Sequence, residues 1–372
     1  MHLRSLLFLF PAIGVISACS PRTAISGATD PVQITVPAEN EISPTAERYI
    51  AEAVAVMRAD ALYKQQLDFD QIHETIREYA EGAQTVEDTH AAIAKSLPLL
   101  NDHHSGFYPI TTLREEWGWS SVDVESVKAG IPPNIDADQL PSILRTLDFA
   151  EGKLLDDHIG YLSVPPFESM YRQTMLAFAD SLQTLIRKMD EGGAIGWIID
   201  LRDNYGGNAM PMIAGLGPLL DDDNSYYGID ETGTVRTQTF YRDGYYDVED
   251  EREPQLLLAP STTYKVRDPA LPIAILTSSK TASSAEAIVA IFKGQPNVRI
   301  VGSRTNGLTT VNHFVFLSDN SVLNLTMAHY ANRDKDLYIQ GIDPDVFVPS
   351  EPVDETDDPV LEKAMELIEA RY

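Results

Sequence analysis

A serine-rich segment after an apolar run carries the best candidate for a catalytic nucleophile. Ser283 lies in the sequence TASSAE, where residues 273–277 have the pattern of a buried strand and residues 285–293 that of a helix. A serine at the start of a helix meets the positive end of the helix dipole, which stabilises a developing alkoxide or oxyanion. Ser283 and Glu286 also form the Ser-x-x-Glu pattern of a capping box, so a purely structural cap is the alternative.

A second segment could supply an oxyanion hole. The sequence DLRDNYGGN runs from another strand-like segment into the paired glycines Gly206 and Gly207. Paired glycines let backbone amides turn toward an anion, which is what stabilisation of an oxyanion requires. From the spacing alone, a plain glycine turn is an equally good interpretation.

A serine nucleophile needs a base, and histidine is the usual one near neutral pH. Of the 8 histidines, His103 and His104 follow the end of a predicted helix in a polar loop, where an imidazole can face a cleft. The alternative is a surface or metal-linked pair, but no further ligands at zinc-like spacing accompany them, so we expect no metal site. Lys280 is expected to be a solvated lysine rather than a base.

The elements around these candidates alternate between strand and helix. Strand patterns cover residues 159–164, 195–201, 273–277 and 298–301, and helical patterns cover 171–189 and 285–293. This alternation predicts right-handed crossover units and a largely parallel sheet, and therefore a mixed α/β fold. In such sheets catalytic groups lie beyond the carboxyl ends of the strands, where the glycine pair and Ser283 both occur.

The rest of the chain has a different organisation. Helical periodicity begins near Thr45, strands and loops are expected in 106–150, and the acidic, tyrosine-rich segment 221–253 is expected to be a solvated excursion or a hairpin. The predicted units are a helical module (45–115), a connecting segment (116–154), the catalytic core (155–350) and an acidic segment with a helix (351–372).

The first 19 residues have the pattern of a secretory signal that is too short to span a bilayer permanently. Ile16-Ser17-Ala18-Cys19 also resembles a bacterial lipobox, in which Cys19 is acylated. The alternative is an ordinary signal cut near Ala18. Residues 20–44, rich in Ser, Thr, Pro and Ala, suit a flexible tether between a lipid and a folded body. Because Cys19 is the only cysteine, an internal disulfide and a cysteine metal site are both excluded.

The net charge limits the classes of partner. The chain has 28 Lys+Arg and 56 Asp+Glu, a formal net charge of -28. That charge repels phosphate backbones and anionic lipid head groups, so we expect no nucleic-acid partner and no electrostatic membrane docking. Neutral, cationic or apolar partners remain.

Five segments together resemble serine peptidases of the C-terminal processing and tricorn-core type. They are GYLSVPPF, WIIDLRDNYGGN, TASSAEAIVAIFKG, VGSRTNGL and GIDPD, in the family's order over residues 159–348. The resemblance implies a crotonase-like ββα core sheet with crossover helices. It also implies that Ser283 is the nucleophile and that amides of Gly206, Gly207 and Ser284 hold the oxyanion.

One departure from the processing proteases concerns the base. Leu308 stands where the TxGK segment of that branch has its catalytic lysine, and leucine cannot accept a proton. The tricorn-like branch uses a histidine from the N-terminal region, which implies His104 as the base. That branch orients its histidine through an acid, for which Asp334 is the nearest candidate here. The PDZ domain common in the family has no room in residues 116–150.

The resemblance therefore implies a secreted, lipid-anchored serine peptidase of the cell envelope that cleaves proteins or peptides without a metal or organic cofactor. The alternative is a catalytically weak or inactive protein on the same fold that binds a peptide or an apolar ligand. The fold alone does not separate these two functions. The sequence makes no prediction of oligomeric state.

Overall fold

The computed structural model describes residues 41–115, 119–129, 131–221, 224–242, 244–250, 258–349 and 358–370. The predicted signal, Cys19 and most of the predicted tether lie outside the described residues, as do residues 351–357 and 371–372 of the predicted C-terminal unit.

The described residues form ten α-helices and twelve strands. The helices are α1 (Pro44–Asp60), α2 (Phe69–Tyr79), α3 (Glu87–Ser96), α4 (Ile110–Glu115), α5 (Ser121–Lys128), α6 (Leu140–Leu144), α7 (Arg172–Glu191), α8 (Ala209–Leu216), α9 (Ser284–Phe292) and α10 (Pro359–Glu369). The strands are β1 (Gly106–Tyr108), β2 (Glu151–Leu155), β3 (Ile159–Ser163), β4 (Gly196–Asp200), β5 (Asn224–Ile229), β6 (Val235–Arg242), β7 (Tyr245–Asp250), β8 (Ile273–Thr277), β9 (Val298–Gly302), β10 (Thr310–Phe316), β11 (Val322–Ala331) and β12 (Val346–Phe347).

The predicted parallel sheet is present, with strand order β12-β9-β8-β4-β3-β2. All of its neighbours pair in parallel except β2 and β3. Strands β4 and β8 are buried along their whole length because helices cover both faces. Helices α7, α8 and α9 share a core with one face, and α10 packs on the other. The prediction of a mixed α/β fold is confirmed.

A second, antiparallel sheet has the order β1-β11-β5-β6-β7, and β10 also pairs with β11. Strands β5 to β7 come from the tyrosine-rich segment that was predicted to be a solvated excursion or a hairpin. The hairpin prediction is confirmed, and the sheet buries three of its tyrosines, Tyr226, Tyr241 and Tyr246. The segment is therefore part of the core and not a solvated loop.

The N-terminal helices pack on this second sheet. Helices α1 to α3 share one apolar cluster with Leu317, Leu323 and Leu325 of the β10–β11 hairpin. The segment 45–115 also contributes β1, which pairs with β11. The expectation of strands and loops in 106–150 missed three short helices, α4, α5 and α6, whereas β1 and the other described residues there are strand or loop as predicted. A capping box of Ser120 and Asp123 begins α5. The sequence contains this local signal, but the weak apolar periodicity of the segment did not indicate a helix.

Within the part of the chain that the structure describes, no helix combines the length and the apolar character needed to cross a membrane.

Candidate active site

Ser283 has a backbone conformation that is rare for a residue with a side chain. It joins the loop after β8 to the first turn of α9, with φ 55° and ψ -119°. A non-glycine residue at positive φ is strained and persists only where its surroundings hold it there. Ser283 and Glu286 form the capping box that the sequence indicated. Within it, the Ser283 N–H donates to Glu286 Oε2 (2.9 Å), and the Glu286 N–H donates to the Ser283 carbonyl (2.8 Å).

The carboxylate of Glu286 links the serine to a neighbouring loop. Its Oε1 accepts hydrogen bonds from Thr305 Oγ1 (2.5 Å) and the Gly307 N–H (2.9 Å). Burial raises the pKa of Glu286, although hydrogen bonds from Thr305, Gly307, Ser283 and Leu308 oppose the rise. Glu286 therefore joins Ser283 to the loop of Thr305 and Gly307 by hydrogen bonds. At the position of the family's catalytic lysine, this loop has Leu308, which cannot act as a base.

The glycine pair lies directly against the serine. Gly206 and Gly207 have φ values of 114° and 102°, which disfavour any side chain. A Cβ at Gly206 would lie 2.7 Å from Ser283 Cβ, and one at Gly207 would lie 2.2 Å from the carbonyl oxygen of Phe167. Both positions therefore require glycine for conformation and for space. The glycine segment is more than a plain turn, because it packs on the candidate nucleophile.

The amides near Ser283 are not equivalent. The Gly206 N–H donates to Asn204 Oδ1 (2.8 Å), so it is already engaged. Among the described residues, the N–H groups of Gly207 and Ser284 have no hydrogen-bond acceptor. Ser284 Oγ donates to the Gly207 carbonyl, which ties the glycine loop to the start of α9. Two of the three predicted oxyanion amides thus remain available for an anion.

The loop that carries His104 is held by its own hydrogen bonds. Asp102 Oδ1 accepts from the N–H groups of His104 (2.9 Å) and Ser105 (2.8 Å), and Asp102 Oδ2 accepts from Ser105 Oγ (2.7 Å). The His104 carbonyl accepts from Asn312 Nδ2 (3.1 Å). The imidazole Nδ1 lies 2.6 Å from Thr310 Oγ1. Strand β10 therefore fixes both the backbone and the ring of His104.

Burial lowers the pKa of His104, and the negative charge of Asp102 partly opposes this shift. A histidine with a lowered pKa is neutral at pH 7 and keeps a lone pair on one ring nitrogen. If Nδ1–H donates to Thr310 Oγ1, that lone pair is on Nε2. This tautomer has the protonation state required of a general base.

One cavity brings the predicted residues together. His104, Ser283, Gly207 and Ser284 all line a cavity of about 1010 Å³. A half-buried serine, a neutral imidazole and two available amides, all lining one cavity, are the groups that acyl transfer requires. Lys280 does not line this cavity. It is exposed and pairs with Asp203 at 2.8 Å, as the sequence predicted.

Asp334 does not accompany His104. It lies in the exposed turn after β11, where its N–H donates to Asn332 Oδ1 (3.0 Å), and it does not line the cavity. Thr310 occupies the place at Nδ1 for which Asp334 was proposed. No local sequence signal marks Thr310, because it reaches His104 only through the pairing of β10 with β11. Among the described residues, no group of three or more His, Cys, Asp or Glu side chains is arranged to hold a metal ion.

Comparisons with known proteins identify the family. The model of the family described as peptidase family S41 matches residues 158–348. The nisin-resistance protein of Lactococcus lactis subsp. lactis is 30% identical over 190 residues, which cover 50% of this chain and 55% of that protein. The carboxy-terminal processing protease CtpA of Bacillus subtilis (strain 168) is 26% identical over 232 residues, which cover 61% of this chain and 42% of that protein. The chain thus spans about half the length of the curated relatives it matches.

A solved structure supports the fold over a longer stretch. The structure of a lipoprotein from Streptococcus agalactiae aligns with 89% of this chain and 99% of its own, with a TM-score of 0.66 and 23% identity. The fold described above therefore occurs in a protein of similar extent.

Proposed function

The chain belongs to peptidase family S41, and from this premise we propose that it is a serine peptidase of the cell envelope with Ser283 as nucleophile and His104 as general base. The observation that carries the proposal is the strained conformation of Ser283 at the start of α9, on the same cavity as His104. The capping box with Glu286 supports the proposal by holding Ser283 in this conformation.

The proposed reaction uses these groups in the order of a serine peptidase. His104 Nε2 takes the proton of Ser283 Oγ as that oxygen attacks the substrate carbonyl carbon. The resulting oxyanion accepts hydrogen bonds from the N–H groups of Gly207 and Ser284. The C–N bond then breaks, and His104 gives its proton to the leaving amine. Water, deprotonated by His104, hydrolyses the acyl-enzyme and regenerates Ser283.

Thr310 acts as a positioning residue in this scheme. Its hydroxyl oxygen accepts the Nδ1–H of His104, which selects the tautomer and fixes the ring. It takes the structural place of the acid in a serine–histidine–acid triad, but it supplies no charge to stabilise the imidazolium. We therefore expect a slower enzyme than one with an acid at this place.

The substrate is proposed to be a protein or peptide at the cell envelope. The family supports the class of bond, and the names of two similar proteins, one for nisin resistance and one as a lipoprotein, support the location. The sequence around Cys19 supports export and a lipid anchor.

A fluorophosphonate probe tests the nucleophile directly. The full-length protein should be labelled, and Ser283→Ala should abolish labelling, since the probe reacts only with an activated serine. Ser279→Ala is the matched control, because Ser279 is an exposed serine of the same segment. An unlabelled wild type, under conditions where a control hydrolase reacts, would instead favour the function of a binding protein.

A further inference from the structure

The antiparallel sheet forms one wall of the cavity that contains Ser283. Three tyrosines in this wall, Tyr226, Tyr246 and Tyr330, are each 6% exposed. They come from β5, β7 and β11, so three separate strands contribute to it. With Thr239, Val248 and Met327, which line the same cavity, they form what we call the tyrosine wall.

The strand register explains why these side chains face the cavity together. Tyr226 on β5 lies opposite Thr239 on β6, and Thr239 lies opposite Val248 on β7. Directly opposite residues of antiparallel strands place their side chains on the same face of the sheet. The three side chains therefore form a continuous row across the hairpins. The row lies in the tyrosine-rich segment 221–253, for which the sequence analysis predicted no role in the active site.

The wall and the candidate nucleophile line the same cavity. The Tyr330 N–H donates to the Thr309 carbonyl (2.9 Å), and the neighbouring residue, His329, pairs with Thr310. Thr310 is the residue that contacts the ring of His104. A peptide bound in this cavity at Ser283 and His104 therefore shares the cavity with the tyrosine wall.

The tyrosine wall is uncharged. Its members are three tyrosines, a threonine, a valine and a methionine, and burial raises the pKa of Tyr226 and Tyr246 so that both stay neutral at pH 7. The Tyr226 hydroxyl is hydrogen-bonded with Thr239 and Tyr246, so these polar groups partly satisfy one another. What the wall offers to a ligand is mainly aromatic and aliphatic surface.

We propose that the tyrosine wall is the specificity subsite for an uncharged, large apolar side chain next to the scissile bond of a peptide substrate. The inference rests on the proposed peptidase function. An aromatic or large aliphatic side chain would bury apolar surface against the three rings. A Lys, Arg, Asp or Glu side chain held against these six uncharged residues would lose its hydration, and Glu115 and Glu168, which line the same cavity, are not part of the wall.

The cleavage profile tests this subsite without a known substrate. The full-length protein is incubated with a proteome-derived peptide library, and cleavage sites are identified by mass spectrometry. We expect Phe, Tyr, Leu, Ile and Met to be enriched at one flanking position by about tenfold or more over charged residues, as apolar pockets discriminate on this scale. A flat profile, or one that favours charged residues at both flanking positions, would overturn the proposal.

Two opposite substitutions at one position make the test specific. Val248→Phe narrows the subsite and should shift the preference from Phe toward Ala, while Val248→Ala widens it and should shift the preference toward Trp. The control is Glu249→Gln, because Glu249 is exposed and successive residues of a strand face opposite sides. If both Val248 variants keep the profile of the control, the subsite lies elsewhere.

A binding arm separates this inference from the function on which it rests. Retention of the same library on immobilised Ser283→Ala protein requires no catalysis. If the wild type cleaves no peptide and reacts with no fluorophosphonate, the peptidase function fails, and the retained peptides still report on the subsite. Retention of Phe-containing over Lys-containing peptides, lost in Val248→Phe, would support the subsite in that case, and equal retention would refute it.

Discussion

At the scale of single residues, the proposed chemistry depends on which nitrogen of His104 is free. Thr310 Oγ1 lies 2.6 Å from Nδ1, and the imidazole lines the cavity that contains Ser283. No carboxylate among the described residues is hydrogen-bonded to the His104 ring. Burial keeps the imidazole neutral, and the Thr310 hydroxyl fixes its orientation. Two predictions follow, one for the base itself and one for its orientation.

His104→Ala should lower kcat/KM by on the order of 10⁴-fold, because a lost triad base usually costs that much. In the wild type, burial lowers the pKa of His104, so the ascending limb of the pH–rate profile should lie below the ordinary imidazole value of about 6.5. Lys280→Ala is the control and should retain activity, since Lys280 is exposed. An inactive Lys280 variant beside an active His104 variant would contradict the assignment.

Thr310→Val should lower kcat by on the order of 10- to 1000-fold with little change in KM, because the ring loses its partner at Nδ1 while the substrate contacts remain. Thr310→Ser keeps a hydroxyl and should restore most of the activity. A purely structural role would lower the melting temperature of both variants and leave the pH profile in place. Steady-state kinetics across pH, compared with thermal unfolding, distinguish these results.

The residues that the sequence predicted share one property: their signal is local. Ser283 lies in a six-residue motif, and the glycine pair follows its strand directly. Thr310 and the tyrosine wall depend on pairing between strands that are distant in sequence, and no spacing within one segment reveals such pairing. Asp334 was proposed as the nearest candidate for the acid that the resemblance implies, and in the structure it does not line the cavity. The acid of the triad was therefore the weakest part of the sequence interpretation.

At the scale of elements, the helices α1 and α3 are tied to the β10–β11 hairpin by one carboxylate. Asp319, in the turn of the hairpin, accepts hydrogen bonds from Tyr49 Oη (2.7 Å), His90 Nε2 (3.0 Å) and Ser321 Oγ (2.6 Å). Burial alone would raise the pKa of Asp319, but these hydrogen bonds outweigh it and hold the pKa well below its usual value. The same hairpin carries Thr310, so this contact also supports the active site.

Asp319→Asn should lower the free energy of unfolding at pH 7 by about 2 kcal/mol, because three donors lose a charged acceptor in a mostly buried place. The pKa of Asp319 is lower in the folded state than in the unfolded chain, where it is about 3.9. Its stabilisation is therefore complete above about pH 4 and is lost as the pH falls toward the folded value.

Urea unfolding of wild type and Asp319→Asn at pH 7 and at pH 3 checks both parts of this prediction. The difference between the two proteins should be smaller at pH 3. Glu366→Gln is the control, because Glu366 pairs with Lys363 on an exposed face of α10 and should change the stability by less than about 0.5 kcal/mol. A difference that grows on acidification would refute the role of Asp319.

For elements with strong periodicity, the sequence predicted the first and last residues to within a few positions. The long helix predicted over 171–189 is α7, and the apolar run 273–277 is β8. The short helices α4 and α6 were not predicted from the sequence. They have only six and five residues. A period of 3.6 residues cannot be recognised over so few positions.

At the scale of the whole molecule, the net charge of -28 acts on a partner at long range and the tyrosine wall acts on it at short range. The charge acts over roughly the 8 Å Debye length at physiological salt and disfavours anionic partners before contact. The tyrosine wall acts only on a side chain that has entered the cavity. A peptide that is cationic overall but carries an apolar residue at the cleavage site would satisfy both conditions.

The proposed attachment to a membrane depends on Cys19, the only cysteine, and on the tripeptide Ile16-Ser17-Ala18 before it. Buried acyl chains contribute about 0.8 kcal/mol per methylene, so several chains would hold the protein despite its charge. Cys19→Ser should therefore move the protein from the membrane fraction to the soluble fraction or leave the signal uncleaved, while fluorophosphonate labelling of Ser283 persists. Ser283→Ala should remain in the membrane fraction as the control. A Cys19→Ser protein that fractionates and is processed like the wild type would mean that the cysteine carries no anchor.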